Sequence, residues 1–399
     1  MVELEGSTIT APKAVQKLSK AGKLSVKVAV SKCEDYEEDR VEPAVRNSVE
    51  LIGGLNRIIK PGNRVLLKVN LLAPRHPDDA VTTHPSVVRA VAKLVKGAGA
   101  VPIIADSPGF IYAGNKSKAL IESGIKEAAD ELGVEAFQFE SFENPFIETE
   151  IPGGVHLKSV FAARLALEAD VIITLPKLKT HSNTLYTGAV KNMFGAVTSR
   201  TRRFAHTLAT FEKFGGTLVD IYSLLKPRLA IMDAVIGMEG EGPRHGSPKE
   251  AGLILASYDS VALDAVASKI IGFDPMEIAT TKLAAERGLG IGDLRQIEVV
   301  GENICDVSVD FEKPTIRRTG RIPFLVALFD RFSKVEPQLV EEKCSKCGIC
   351  AKSCPVEAIR LSSYPKINRD ICIECYCCNE MCPEGAMEIK KNWVIGLAR

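Results

Sequence analysis

Cys344-Ser345-Lys346-Cys347-Gly348-Ile349-Cys350-Ala351-Lys352-Ser353-Cys354-Pro355 returns, at an offset of 28 residues, as Cys372-Ile373-Glu374-Cys375-Tyr376-Cys377-Cys378-Asn379-Glu380-Met381-Cys382-Pro383. Each run spaces its cysteines as C-x-x-C-x-x-C-x-x-x-C-P, and the likeness extends over 344–361 and 372–389. A duplicated loop of this length predicts a small α+β unit with an internal pseudo-two-fold. Nine of the eleven cysteines lie between Cys344 and Cys382, leaving only Cys33 and Cys305 elsewhere. That density marks ligand chemistry, because a disulfide scaffold belongs to small exported domains and nothing in this chain signals export.

The spacing selects the ligand. A tight loop aims three thiolates at three corners of an iron cube, and the fourth must reach in from the other run. Cys344, Cys347, Cys350 and Cys382 are therefore expected on one 4Fe-4S cluster, and Cys372, Cys375, Cys378 and Cys354 on a second. Each closing proline disfavours a helical residue before it and turns the chain away. Gly348 permits close backbone approach, whereas the second run has Tyr376 at that place and adds Cys377, read as a bystander thiol. Structural zinc would favour two cysteine pairs across a longer spacer. Residues 340–389 resemble the two-4Fe-4S ferredoxin family throughout, departing at Tyr376 and Cys377. That resemblance implies single-electron transfer at low potential and a redox partner protein.

At 399 residues, with 46% hydrophobic and 25% charged residues, the chain is expected to fold as two or three globular units. A net charge of +1 with both signs interspersed argues against a nucleic-acid partner. Residues 1–25 read as a flexible leader carrying Lys13, Lys17, Lys20 and Lys23, with no apolar run suited to a signal peptide or membrane span. A cytoplasmic chain is expected. The other divisions are an α/β domain at 26–310, a linker helix at 311–338, the ferredoxin domain at 339–392 and a tail at 393–399.

Within 26–310, short β-branched runs at 26–30, 64–69, 101–105, 170–175 and 228–232 alternate with helical patterns at 42–59, 85–96 and 161–168. Two further helices are expected at 260–271 and 276–287, with Gly272 and Gly288 at their ends. Near-continuous apolar strands suit burial on both faces, so the fold class is α/β: a mostly parallel sheet with helices on both faces.

A ligand of such a sheet sits beyond the carboxyl ends of the strands. Polar residues gather there: Lys68 and Asn70, Asp106 with its Ser-Pro-Gly, residues 174–181, and Asp233. Residues 176–206 carry Lys177, Lys179, Lys191, Arg200, Arg202, Arg203, His181 and His206, and no acidic residue. Unopposed cations at strand ends favour a carboxylate or phosphate, hence an anionic small-molecule ligand. Lys191 and Asn192 lie among small and apolar residues, which favours a partly desolvated, reactive lysine. The candidate catalytic pair is Lys191 and His181, and the candidate ligand-binding set is Lys68, Asn70, Asp106, Lys177, Lys179, Asn192 and His206. The turn Glu239-Gly-Glu-Gly-Pro243 offers carboxylates to a metal or to the basic loop. No phosphate loop or dinucleotide fingerprint is present.

Lys68-Val-Asn-Leu, Thr82-Thr-His-Pro, Asp106-Ser-Pro-Gly, Leu175-Pro-Lys-Leu-Lys-Thr-His181 and Gly188-Ala-Val-Lys-Asn-Met-Phe-Gly195 give residues 26–301 a resemblance to the domain-of-unknown-function family numbered 362. That family is often fused to a ferredoxin module and implies no settled activity. A fainter resemblance is to nickel-pincer lactate racemases, in which a catalytic histidine precedes a cofactor-bearing lysine. His181 and Lys191 have that order, and His206 stands where a nickel-ligating histidine would be. Ala189-Val190 replaces a glycine pair, and the Asp-His-Thr-Arg-Pro motif is absent. The expected function is an iron-sulfur electron-transfer protein. The alternatives are a self-contained reductase or cofactor-dependent enzyme on an anionic substrate, and an assembly scaffold with an attached ferredoxin.

Overall fold

The computed structural model describes residues 26–109, 117–141, 145–208, 211–314, 336–373 and 375–390. The expected leader, the tail and most of the expected linker helix (315–335) lie outside the described residues. The strands of the larger unit are β1 (Val26–Lys32), β2 (Arg64–Val69), β3 (Val101–Asp106), β4 (Glu135–Gln138), β5 (Phe146–Glu150), β6 (Ser159–Ala163), β7 (Val171–Leu175), β8 (Lys177–His181), β9 (Leu185–Thr187), β10 (Leu229–Glu239), β11 (Ser247–Ser257) and β12 (Ile297–Gly301). The main sheet runs β12-β1-β11-β10-β7-β2-β3-β4. Every pairing along it is parallel except those of β11, which runs against both β1 and β10.

Side chains alternate across a strand, and β2 divides its apolar residues between two cores accordingly. Val65, Leu67 and Val69 pack with Val45, Val49, Val87 and Val91 of the helices Glu38–Leu51 and Pro85–Gly97. Leu66 points the other way, to a core with Val190, Val219 and Tyr222 from helices on the opposite face. The sheet is thus covered on both sides, as its near-continuous apolar strands require.

Three expectations at element level are corrected. The pattern at 161–168 is not one helix: 161–163 end strand β6, antiparallel to β5, and only Arg164–Glu168 is helical. Val160 and Ala162 are buried while Phe161 is exposed, an alternation of period two that a helix would scramble. The helix expected at 42–59 spans Glu38–Leu51 and stops where Gly53 and Gly54 take φ of 115° and 79°. Residues 177–181, expected as a loop, form β8, which pairs with an extended β10 beyond Pro176.

The second unit keeps the 28-residue offset in three dimensions. Strand β13 (Glu336–Leu339) pairs antiparallel with β16 (Met387–Lys390), and β14 (Ile359–Leu361) pairs with β15 (Pro365–Ile367). The short helices Ile349–Ser353 and Cys377–Glu380 follow Gly348 and Tyr376, both in the left-handed region at φ of 72° and 55°. The loop therefore demands the same backbone twice, and the tyrosine adopts it at a cost that glycine avoids.

Candidate functional site

The carboxyl ends of β2 and β3, the middle of β8 and the segment 187–206 surround a cleft with a cavity volume of about 90 Å3. Its floor is an ion pair. Lys68 Nζ lies 2.7 Å from Asp106 Oδ1, both side chains being almost wholly buried, and also donates to the Val69 carbonyl at 2.9 Å. Asp106 further accepts the Ser107 amide at 2.7 Å and the Leu71 amide at 2.8 Å. Burial lowers the Lys68 pKa and raises that of Asp106, and ion pairing opposes both shifts. The pair explains Gly195, where a Cβ would stand 2.1 Å from Asp106 Oδ1 and 2.9 Å from Lys68 Nζ.

Above the floor, Lys179 Nζ donates to Asn70 Oδ1 at 2.6 Å and to the Val81 carbonyl at 2.8 Å. Asn70 Nδ2 donates to Asn192 Oδ1 at 3.3 Å. Asn192 Nδ2 donates in turn to the Lys68 carbonyl and to Thr174 Oγ1, at 3.1 and 2.9 Å. Lys191 and Asn192 ride on the one-turn helix Ala189–Asn192, whose start is held from a distant helix. Asp264 accepts the Ala189 amide at 2.7 Å, the Val190 amide at 3.0 Å and the Tyr186 hydroxyl at 3.1 Å. Burial pushes the Asp264 carboxyl up to about 7. Sequence reading missed Asp264, which sits in an otherwise apolar helix; its only signal is a charge on a buried face.

His181 is fully buried. Its Nδ1 accepts the Asn183 amide at 2.9 Å and the Thr184 amide at 3.3 Å, so the neutral ring carries its proton on Nε2. Burial, then the charges of Lys191, His206 and Lys179, hold its pKa well below the usual histidine range. His206 packs its ring 4.8 Å from that of Phe214. Burial, with Lys191 and Arg202 nearby, pulls its pKa to about 3. Both imidazoles are therefore neutral at physiological pH, available as hydrogen-bond groups rather than cations.

Lys68, Asn70, Asp106, Lys179, Lys191, Asn192 and His206 thus stand in or directly beneath one cleft, while His181 feels the charges of Lys191 and His206 without lining the cavity. Lys177 does not join them. Its Nζ lies 2.9 Å from Asp233 Oδ2 and 2.6 Å from the Tyr36 hydroxyl, in a closed network with His84, whose ring stacks on Tyr36 at 3.5 Å. The cause is an irregularity in β10: Lys177 pairs with Asp233 but Lys179 with Met238, which separates the two lysines. Arg200 and Arg203 point to solvent while Arg202 is buried. The Glu239 carboxylate accepts the Glu312 amide at 2.9 Å instead of facing the basic loop.

In the second unit, Cys344, Cys347, Cys350 and Cys382 line one cavity with Leu339 and Met387. The Cys350 thiol is pushed up to about 11, by burial first and then by Cys382, Cys347 and Cys344. Cys378 is raised well above its usual value by burial and by Cys375, Cys372, Cys350 and Cys354. Thiols crowded in this way ionise only around a cationic core, which is the donor chemistry of an iron-sulfur cluster. The Ala358 amide donates to Cys354 Sγ and the Ala386 amide to Cys382 Sγ, both at 3.1 Å and 28 residues apart. None of the eleven cysteines is in a disulfide. The residues present fit the group.

The two sites adjoin. Asn183 Nδ2 donates to the Cys375 carbonyl at 2.9 Å, Arg75 Nη2 donates to the Pro383 carbonyl at 3.1 Å, and His245 Nε2 lies 2.7 Å from the Asn379 carbonyl. Met381 enters the cleft wall and packs so closely on Gly109 that a Cβ there would meet its Cε at 2.7 Å. Among the described residues, no helix is long and apolar enough to cross a membrane.

Comparison with known proteins finds matches in two separate stretches of the chain. Residues 337–360 match a 4Fe-4S binding domain. The thylakoid-associated protein sll1697 of Synechocystis sp. is 36% identical over 266 residues, 66% of this chain and 79% of that protein. Among solved structures, the lactate racemase apoprotein from Thermoanaerobacterium thermosaccharolyticum aligns with a TM-score of 0.41 at 13% identity, over 64% of this chain and 58% of its own length. Residues 65–269, which hold most of the main sheet and of the cleft lining, match the domain of unknown function DUF362, and the chain belongs to that family.

Proposed function

We propose that this chain is an iron-sulfur electron-transfer protein whose two 4Fe-4S clusters serve an anionic ligand bound in the cleft of the α/β domain. One cluster would be held by Cys344, Cys347, Cys350 and Cys382, the other by Cys372, Cys375, Cys378 and Cys354. When bound, they supply single electrons. The observation that carries the reading is Met381, a residue of the second cysteine run that forms part of the cleft wall. A ligand there lies against the same loop that contributes Cys378 and Cys382.

The remaining work falls to the chain. Lys179, Lys191 and Arg202 place positive charge around the ligand, while the Lys68–Asp106 pair and the Asn70–Asn192 bridge hold the walls rigid. His181 presents an Nε2 proton on a neutral ring and is tied by Asn183 to the Cys375 carbonyl. That tie favours, as a second reading, a self-contained reductase in which His181 and Lys191 act directly on the ligand. A chain with eleven cysteines, no disulfide and no candidate membrane helix among its described residues suits a reducing compartment such as the cytoplasm.

Anaerobically purified protein should contain about eight iron and eight sulfide, as two Cys-ligated cubes require. Native mass spectrometry of the same sample would count the cubes and reveal any retained organic ligand. Zinc in place of iron would end the proposal. Lys191→Ala and His181→Ala variants that keep both clusters but lose turnover would support the reductase reading, and variants indistinguishable from wild type in every assay would remove the cleft from it.

A further inference from the structure

Two buried groups in the cleft have hydrogen-bonding capacity that the chain leaves unused. Ser107 and Arg202 are 4% and 5% exposed, and both line the cavity. Arg202 Nη1 donates to the Pro108 carbonyl at 2.7 Å, and Nη2 lies 3.3 Å from both Glu140 Oε1 and Ser199 Oγ. Arg202 Nε and Ser107 Oγ have no hydrogen-bond partner among the described residues. We propose that Ser107 and Arg202 form the recognition subsite for a small oxyanion head, a carboxylate or a phosphate. This rests on the anion-binding role proposed for the cleft.

Leaving a buried donor unsatisfied costs stability, so such a donor persists where an acceptor arrives from outside the chain. The Nη1 bond to Pro108 holds the guanidinium against the residue that follows Ser107, and both residues line the same cavity. Neither neighbouring acid takes the unused atoms: Glu140 Oε1 meets Nη2 and not Nε, and Asp106 is engaged by Lys68 and by the Leu71 and Ser107 amides. Lys191 and His206 complete the surroundings, the first as a charge and the second as a neutral ring. Size narrows the class. A cavity needs roughly 10–15 Å3 to hold one water, so 90 Å3 accommodates roughly six such positions. That matches a phosphate or carboxylate head group seated in the open cleft.

The test is calorimetric titration of the anaerobic full-length protein with inorganic phosphate and, separately, with acetate, at constant ionic strength. Thermal midpoints are recorded for the wild type and for Ser107→Ala, Arg202→Lys and Lys191→Ala. The wild type should bind at least one probe, and whichever binds assigns the head group. Ser107→Ala should weaken binding by about tenfold or more, with a midpoint no lower than wild type because its hydroxyl makes no bond in the ligand-free chain. Arg202→Lys keeps the charge but lacks Nε and should lose affinity to a similar extent. If Ser107→Ala binds like wild type while Lys191→Ala does not, the subsite is overturned and the anionic cleft stands. If the wild type binds neither probe, both fall.

Discussion

Replacing Asp106 by asparagine preserves shape and removes one charge from the cleft floor. Lys68 would then keep a fully buried ammonium with no counter-charge, its partners reduced to the neutral amide oxygen at position 106 and the Val69 carbonyl. Breaking a buried ion pair by removing one partner costs about 3–5 kcal/mol. One of the two backbone amides that Asp106 accepts would also face the new amide nitrogen, adding about 1 kcal/mol or more. The sum, about 4–6 kcal/mol, is a large part of the roughly 5–15 kcal/mol that holds a typical domain together. With a urea slope of about 3 kcal/mol per molar, the unfolding midpoint should fall by at least about 1 M. The assay is anaerobic urea denaturation followed by far-UV circular dichroism. A companion variant, Lys68→Met with Asp106→Asn, removes the stranded charge and should recover about half of the loss, since paired apolar replacement of buried ions is often neutral. A single variant within about 0.3 M of wild type, or a double variant weaker than the single, would refute the account of the floor as a mutually dependent ion pair.

Other perturbations have equally direct readouts. Cys347→Ala should leave about four iron per chain and one reducible centre by electron paramagnetic resonance, and Cys375→Ala should remove the other centre instead. Asp264→Ala strands the Ala189 and Val190 amides; about 1–3 kcal/mol each should be lost in urea titrations, and phosphate or acetate affinity should drop with the loosened Lys191. Acid should destabilise the α/β domain. His206 and His84 have folded-state pKa values near 3 and 4 against an ordinary 6.5, so below pH 6.5 the unfolded chain takes up protons that the folded chain refuses. Each contributes a slope of about 1.4 kcal/mol per pH unit. Asp264, raised to about 7, opposes one of them across the same window, while His181, also held low, acts with them against the raised Asp106. The urea midpoint should therefore be lower at pH 5.5 than at pH 7, and a flat profile would show that the two rings are not shielded.

Much of this architecture is legible in the sequence because it rests on local or repeated patterns. The 28-residue offset reappears in the paired strands, in the left-handed residues Gly348 and Tyr376, and in the two N–H···S contacts. Apolar runs at 64–69 and 101–105 become buried parallel strands because they are short, bounded by turn residues and apolar on both faces. The basic segment 176–206 does gather at strand ends, yet its lysines are sorted by a β10 irregularity that no spacing encodes. Long-range partnerships were the illegible part. Asp264 reaches the Lys191 helix across 75 residues, and Met381 reaches Gly109 from the other unit. Ser107 Oγ and Arg202 Nε stand out by having no partner in the fold, and a sequence does not record that.

The contact between Gly109 and Met381 has a consequence for assembly. A rim shared by two folding units closes only after both have matured, so ligand retention should depend on iron insertion even though no cysteine touches the floor of the cavity. Under the proposed function, oxidative loss of a bound iron-sulfur core would loosen Met381 and let a bound anion escape. The same seam restrains divergence: a bulkier residue at position 109, or a different module grafted after the sheet, would reshape the entrance before altering any charged group inside.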